Sequence, residues 1–336
     1  MAYICMDRGT DKCPCILMEA GQCYTCGMIR TGRCDCLAGW QGTCPYTEYV
    51  QQGKRPVASK KARCFTVDSR RDHSPCFSTV TLRVPFAYAV RCHDPGTFVM
   101  VESDGWQIPL SVMESRTGTA ASGAEGHISI AINITGPKTV GLMKGTSVGT
   151  VWKVKGPYHN GLLNIQSYDP KALSIVAAKG ISLMPFLNIK DRITAGMASF
   201  YLDRHKLPDS FLTEYIGELE REEMDFGADI KAISEKIKDD YDYCLESTGR
   251  EPNIFLLVSP YFAGRITACL PERITAGSVS ADGSGDPAGE KGSAAVKRLI
   301  LPNHSTMCCG EGLCGACSHT DENGVTVRGC KCLDMM

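Results

Sequence analysis

The chain has 336 residues, more than a single hydrophobic core normally serves, so several domains are expected. Its net charge of −1 lacks the basic surplus of a general nucleic-acid binder. With 43% hydrophobic and 22% charged residues it reads as a soluble globular protein, and no apolar run approaches the roughly 18 residues of a membrane span.

The N-terminus, Met1-Ala2-Tyr3-Ile4-Cys5, lacks the basic and apolar regions of a secretory signal, which predicts a cytoplasmic protein. In that compartment the 19 cysteines read as reduced metal ligands rather than as disulfides. The first eight are Cys5, Cys13, Cys15, Cys23, Cys26, Cys34, Cys36 and Cys44, and they form C-x7-C-x-C-x7-C twice over. Eight thiols make two four-thiolate sites. The segment 1–55 has many glycines and few aliphatics, so bound metal must supply its folding free energy, on the order of 10–16 kcal/mol for structural zinc. Two zincs, or one or two [4Fe–4S] clusters, satisfy the donor set equally, and a disulfide framework is the remaining option. Residues 51–61, with Lys54, Arg55, Lys60 and Lys61, read as a solvated linker.

From residue 62 strand signals recur at Cys64–Val67, Phe77–Val84, Thr97–Val101 and His127–Ile134, separated by Gly/Pro/Asp clusters. Short strands with turns between them predict an antiparallel barrel over 62–165. Leu173–Ala178 then reads as a buried strand turning into a helix after Gly180, and Ile254–Val258 as a later parallel strand, so 166–300 is expected to be an α/β domain. Leu212–Glu246 is helical in composition, with its charges on a solvated face. Cys244 and Cys269 are isolated and read as packing residues, and Ser278–Ser293 as a surface loop. His159 and His304 read as structural, and there is no Ser/His/Asp arrangement, P-loop or H-E-x-x-H motif.

The last 36 residues, 301–336, carry the most specific signal. Cys309, Cys314 and Cys317 follow the C-x4-C-x2-C run of plant-type [2Fe–2S] ligation, with glycines between the thiols and a fourth thiolate available farther on at Cys330 or Cys332. A structural zinc is the alternative, although zinc usually takes paired C-x2-C knuckles. The whole chain is therefore expected to be multidomain α+β: a cysteine-rich metal-binding segment, an antiparallel barrel, an α/β domain and a small cluster domain.

Four segments of the barrel region resemble ferredoxin-reductase-like flavoproteins. Pro95-Gly96-Thr97-Phe98-Val99-Met100-Val101 is similar to their PGQFVML strand, and Ile108-Pro109-Leu110-Ser111-Val112 stands where they carry RPFSI. Gly136-Pro137-Lys138-Thr139-Val140-Gly141-Leu142 is similar to GKGTxxL, and Gly156-Pro157-Tyr158-His159-Asn160-Gly161-Leu162 to the barrel-closing GPxGNGF. Residues 62–336 resemble most the iron–sulfur flavoprotein electron-transfer subunit of heterodimeric dihydroorotate dehydrogenase; the small subunit of ferredoxin-dependent NADP oxidoreductases is similar. The resemblance implies FAD between barrel and α/β domain, with Pro109, Leu110, Ser111, Val112, Lys138, Thr139, Gly156, Asn160, Gly161 and Gly180 as cofactor-binding positions. Ser111 is the expected contact to the flavin ring; Ile108 replaces the family's phosphate-binding Arg, for which Lys138 is the candidate substitute. The family spacing also selects Cys309, Cys314, Cys317 and Cys330 as the cluster ligands.

The α/β domain departs from the resemblance. The family's GGGIGVxP turn becomes Ala178-Lys179-Gly180-Ile181-Ser182-Leu183-Met184-Pro185, and its CGP becomes Val258-Ser259-Pro260. The lost glycines are the ones that let a pyrophosphate approach the backbone, which argues against NAD(P)H here, while the Lys179 charge offers a phosphate contact. The resulting expectation is an electron-transfer flavoprotein subunit joining FAD and clusters to a catalytic oxidoreductase subunit or a ferredoxin, in a hetero-oligomer. A self-sufficient NAD(P)H:acceptor reductase and a zinc-stabilised docking subunit are the alternatives.

Overall fold

The computed structural model describes residues 62–103, 106–118, 125–217, 219–275, 298–305, 307, 310, 317–320 and 326–331. The N-terminal cysteine segment, the basic linker, the Ser278–Ser293 loop, Cys309 and Cys314 lie outside the described residues. The chain divides into two compact units: one ends at Gly161 and resumes at Asn303, and the other is Leu162–Pro302.

The first unit contains a closed antiparallel barrel of β1 (Arg63–Ser74), β2 (Phe77–Pro85), β3 (Phe98–Ser103), β4 (Trp106–Thr117), β5 (Glu125–Asn133) and β6 (Val151–Tyr158), in the order β1-β2-β5-β4-β3-β6. Period-2 alternation builds it. Val80, Leu82, Val99, Val101, Leu110, Val112, Ile128, Ile130 and Val154 all point inward and form one core. Each such side chain is worth about 1.5–3 kcal/mol out of water, so a one-residue slip that turned them outward is strongly disfavoured. Two helices cover the barrel. Tyr88, Ala89 and Cys92 of α1 (Phe86–Cys92) and Leu142 and Met143 of α2 (Pro137–Lys144) complete the core. The GKGTxxL-like segment is thus a capped helix start rather than a simple turn.

Strand β6 closes the barrel by pairing with both β1 and β3. Just beyond it, the Gly161 N–H donates to Gly96 O at 2.9 Å, and a Cβ on Gly161 would lie 2.5 Å from that same oxygen. Gly161→Ala is therefore expected to cost about 1–3 kcal/mol, because the close approach of two backbones leaves no room to relax. A denaturation midpoint equal to wild type would refute this.

The second unit holds a sheet in the order β10-β9-β8-β11-β12-β7. Its strands are β7 (Leu162–Leu163), β8 (Ser174–Lys179), β9 (Met197–Asp203), β10 (Glu222–Glu223), β11 (Asn253–Leu257) and β12 (Leu299–Pro302), parallel except for β7. The buried strand expected at Leu173–Ala178 and the parallel strand expected at Ile254–Val258 are β8 and β11. The stretch Leu212–Glu246, helical in composition, is divided between two helices with a short strand between them. Helix α3 (Met184–Leu187) and α4 (Lys190–Ile193) precede β9, α5 (Asp209–Tyr215) ends before Gly217, β10 pairs at the sheet edge, and only then does α6 (Ile230–Thr248) begin. The physical reason is local: the left-handed Gly217 stops one helix, and the Asp229 carboxylate restarts the next by accepting from Ala232 N at 3.0 Å. Ile233, Ile237, Tyr241 and Cys244 then lie on the buried face of α6. Burial pushes the Cys244 thiol up to about 11, as expected of a packing residue, whereas Cys269 is exposed and is not one.

Candidate functional site

Of the residues singled out in the sequence, Pro109 and Ser111 lie on the outer face of the barrel, whereas Leu110 and Val112 lie in its core and Gly180 in the other unit. Along β4, Leu110 and Val112 spend their side chains in the core, so Pro109 and Ser111 are the positions that face outward. Strand register places them in two cross-strand rows. One row is Tyr158–Phe98–Ser111 and the other is Lys155–Met100–Pro109. A bulge at Gly156-Pro157 on β6 separates Lys155 from Tyr158 and keeps both on this face. Ile108, at the family's Arg position, is buried inside the barrel. Lys155 is a cation that motif reading missed, because its relation to Pro109 exists only across three strands.

Helix α2 packs against β3 and β4, the strands that carry Phe98 and Ser111. Its N-cap is Gly136, and among the described residues nothing lies within 4 Å of where a Cβ would sit. Thr139 folds back on its own helix, where its Oγ1 accepts from Gly136 N at 3.4 Å and donates to Gly136 O at 3.2 Å. Lys138 is exposed beside it. The outward Ser111 and Pro109, the cross-strand Lys155 and a helix packed on two of the same strands fit an anionic cofactor bearing a flat ring.

Against the same face lie Met307 and Gly310. Phe98 and Tyr158 stack with centroids 5.1 Å apart, and Met307 packs on them. Gly310, directly after Cys309, has φ +67°, and a Cβ there would come within 3.2 Å of the Tyr158 ring. Farther along, β13 (Ser318–Thr320) and β14 (Thr326–Arg328) form a hairpin with Ser318 opposite Arg328. The Gly329 N–H donates to Cys317 O at 3.0 Å, so Cys317 and Cys330 flank the hairpin's base. Both are buried, at 5% and 2% exposure, and neither is in a disulfide. Among the described residues no group of three or more metal-ligating side chains occurs; two of the four candidate thiols lie outside that set. The described pair fits a thiolate-ligated cluster in donor type and burial.

In the α/β unit, the chain crosses from β8 to β9 on one side and β11 on the other, so the crevice at the ends of β8 and β11 is the topological switch point. Gly180 stands there with φ +54°. A 3-10 turn, Gly180–Leu183, and the single-turn α3 succeed the strand, rather than a long helix aimed at the crevice. The Lys179 ammonium is not offered to a ligand. It pairs with the buried Asp203 carboxylate and lies 4.8 Å over the Phe262 ring. Asp203 also accepts from His205 N and Phe226 N, each at 3.0 Å. The Lys179 charge, which could in principle have met a phosphate, is instead held in an internal ion pair, formed because β8 and β9 are neighbours and end side by side.

No protein-family model matches the chain, and no curated protein matches it. Solved structures do. The chain is similar to an NADH-dependent reduced ferredoxin-NADP oxidoreductase studied for flavin-based electron bifurcation, with 14% identity over 82% of this chain and 86% of that one, and a TM-score of 0.50. This likeness is one of fold: an antiparallel barrel followed by an α/β domain. The chain is also similar to ferredoxin-NADP+ reductase from Plasmodium falciparum, with 10% identity over 62% of this chain and 92% of that one, and a TM-score of 0.43. Among the described residues no helix is long and apolar enough to cross a membrane.

Proposed function

We propose that this chain is an electron-transfer flavoprotein subunit, similar in role to the iron–sulfur subunit of heterodimeric dihydroorotate dehydrogenase. It would pass electrons between FAD and iron–sulfur centres, to or from a catalytic oxidoreductase subunit or a ferredoxin. The observation that carries this reading is the seating of Gly310, next to Cys309, on the Tyr158 ring, in the cross-strand row that ends at Ser111. Ser111 and Pro109 would hold the flavin ring, and Lys155, Lys138 and the start of α2 its phosphates. Cys309, Cys314, Cys317 and Cys330 would hold a [2Fe–2S] cluster. When bound, the flavin takes up electrons in pairs and the cluster carries them singly. Phe98, Tyr158 and the adjoining Met307 form an apolar cluster in the row that ends at Ser111. Burial of Cys317 and Cys330 keeps water from their sulfurs, one of the levers on a cluster's potential. The eight N-terminal cysteines would hold further clusters or zinc.

The Lys179–Asp203 pair supports electrons arriving from a partner rather than from bound nicotinamide. Metal and flavin analysis of anaerobically purified protein tests the whole. FAD, iron and an EPR signal on reduction are expected, with no bleaching of the flavin by NADH or NADPH alone. Bleaching would favour a self-sufficient NAD(P)H:acceptor reductase. A colourless zinc protein would overturn the reading in favour of a docking subunit. About four or more irons beyond the two of a [2Fe–2S] site would assign clusters to residues 5–44.

A further inference from the structure

We infer that Asn303 is the positioning residue that sets the cysteine hairpin, and so the cluster, against the end of β6; the inference rests on the electron-transfer reading. Both side-chain polar atoms of Asn303 and its backbone N–H are engaged. Its Nδ2 group donates to Asn160 O and to Gly329 O, both at 2.9 Å. Its Oδ1 accepts from Ser305 N at 3.1 Å, and its backbone N–H donates to Gly161 O at 2.9 Å. Only one orientation of the carboxamide satisfies two carbonyls and one amide N–H together. A single planar group therefore ties Asn160, two residues past the barrel's closing strand, to the residue immediately before Cys330.

The fit around this clamp is tight. A Cβ on Gly329 would lie 1.8 Å from Ser305 Oγ and 2.5 Å from Ser305 Cβ, so the hairpin base rests directly on the segment just past Asn303. At the other end of the cysteine segment, Gly310 rests on Tyr158. Both ends of the cluster-bearing segment are thus registered to β6 and the residues just past it, one by packing and one by hydrogen bonds. Sulfur burial and hydrogen bonding tune a cluster's potential. Loosening the clamp admits water to Cys317 and Cys330, which favours the more negative reduced state and raises the midpoint.

Asn303→Asp in the full chain, purified anaerobically, is the test. Aspartate keeps the shape and the acceptor for Ser305 N but sets a carboxylate oxygen against two carbonyls. The expected result is a midpoint and an EPR line shape displaced from wild type for the [2Fe–2S] centre, or its loss, with FAD at the wild-type level. Asn303→Ala, which removes the donors without adding a charge, should raise the midpoint and shift the line shape, and it decides the matter if the Asp variant does not fold. An unchanged midpoint and EPR spectrum at full iron content overturns the inference alone. Loss of FAD together with the cluster also overturns it, because Asn303 would then be holding the barrel. A wild-type chain without iron overturns the electron-transfer reading and this inference with it.

Discussion

Replacing Asp203 by Ala is expected to destabilise the α/β unit by about 3–5 kcal/mol, because it strands the Lys179 ammonium without its partner. Asp203 has a side-chain exposure of 7% and Lys179 of 15%, so neither charge can recover its hydration without moving. The carboxylate also satisfies His205 N and Phe226 N, and losing it leaves both donors to find water. Replacing both members together, Lys179→Met with Asp203→Leu, should return much of the loss, since breaking a buried pair costs more than exchanging it for apolar packing. Hydrogen exchange of the β8, β9 and β11 amides reads this unit separately from the barrel. Protection in Asp203→Ala equal to wild type would show that the pair is exposed in solution and would reopen the crevice to phosphate. The same double variant, mixed with NADPH, distinguishes a pair that blocks the nucleotide from one that merely replaces it.

Serine at Cys317 or at Cys330 is expected to abolish the C-terminal cluster, with iron falling by about two atoms per chain and the [2Fe–2S] EPR signal lost. Cys309→Ser and Cys314→Ser should behave alike. Cys308→Ser should keep the signal, because only Cys309 heads the C-G-x-G-x-C-x-x-C run. If Cys308→Ser loses it and Cys309→Ser does not, the ligand register is off by one. Cys244→Ala serves as a control. Its thiol is held protonated by burial within α6, so the variant should cost stability and leave the iron content unchanged. FAD should survive in every one of these variants, since the outward residues of β4 and the start of α2 belong to the barrel alone.

Much of the barrel is legible in the chain because its signal is local. Val80, Leu82, Ile128 and Ile130 alternate with polar neighbours at period 2, and that spacing dictates one buried face whatever the partner strand. The α/β strands are legible for a similar reason: Ser174–Lys179 and Asn253–Leu257 are short apolar runs buried on both sides. The region Leu212–Glu246 misleads because average composition favours helix there, while a left-handed Gly217 and an Asp cap, each a single-residue signal, decide where helices stop and start. Cys269 misleads because isolation along the chain says nothing about exposure.

The sequence by itself determined which residues can hold metal and which strands can close a barrel, since thiol spacing and period-2 hydrophobicity are properties of neighbouring residues. Only the tertiary structure decided how those residues are employed. Lys179 meets Asp203 because adjacent parallel strands end together, Lys155 joins Pro109 because three strands share a register, and Asn303 reaches both Asn160 and Gly329 because the closed barrel brings the chain's end back to β6. Each of these contacts joins residues that lie apart along the chain, and nothing in local spacing encodes them. A lysine that stands where the resemblance expects a glycine becomes an internal counter-ion, and an asparagine in no motif links Asn160 to Gly329.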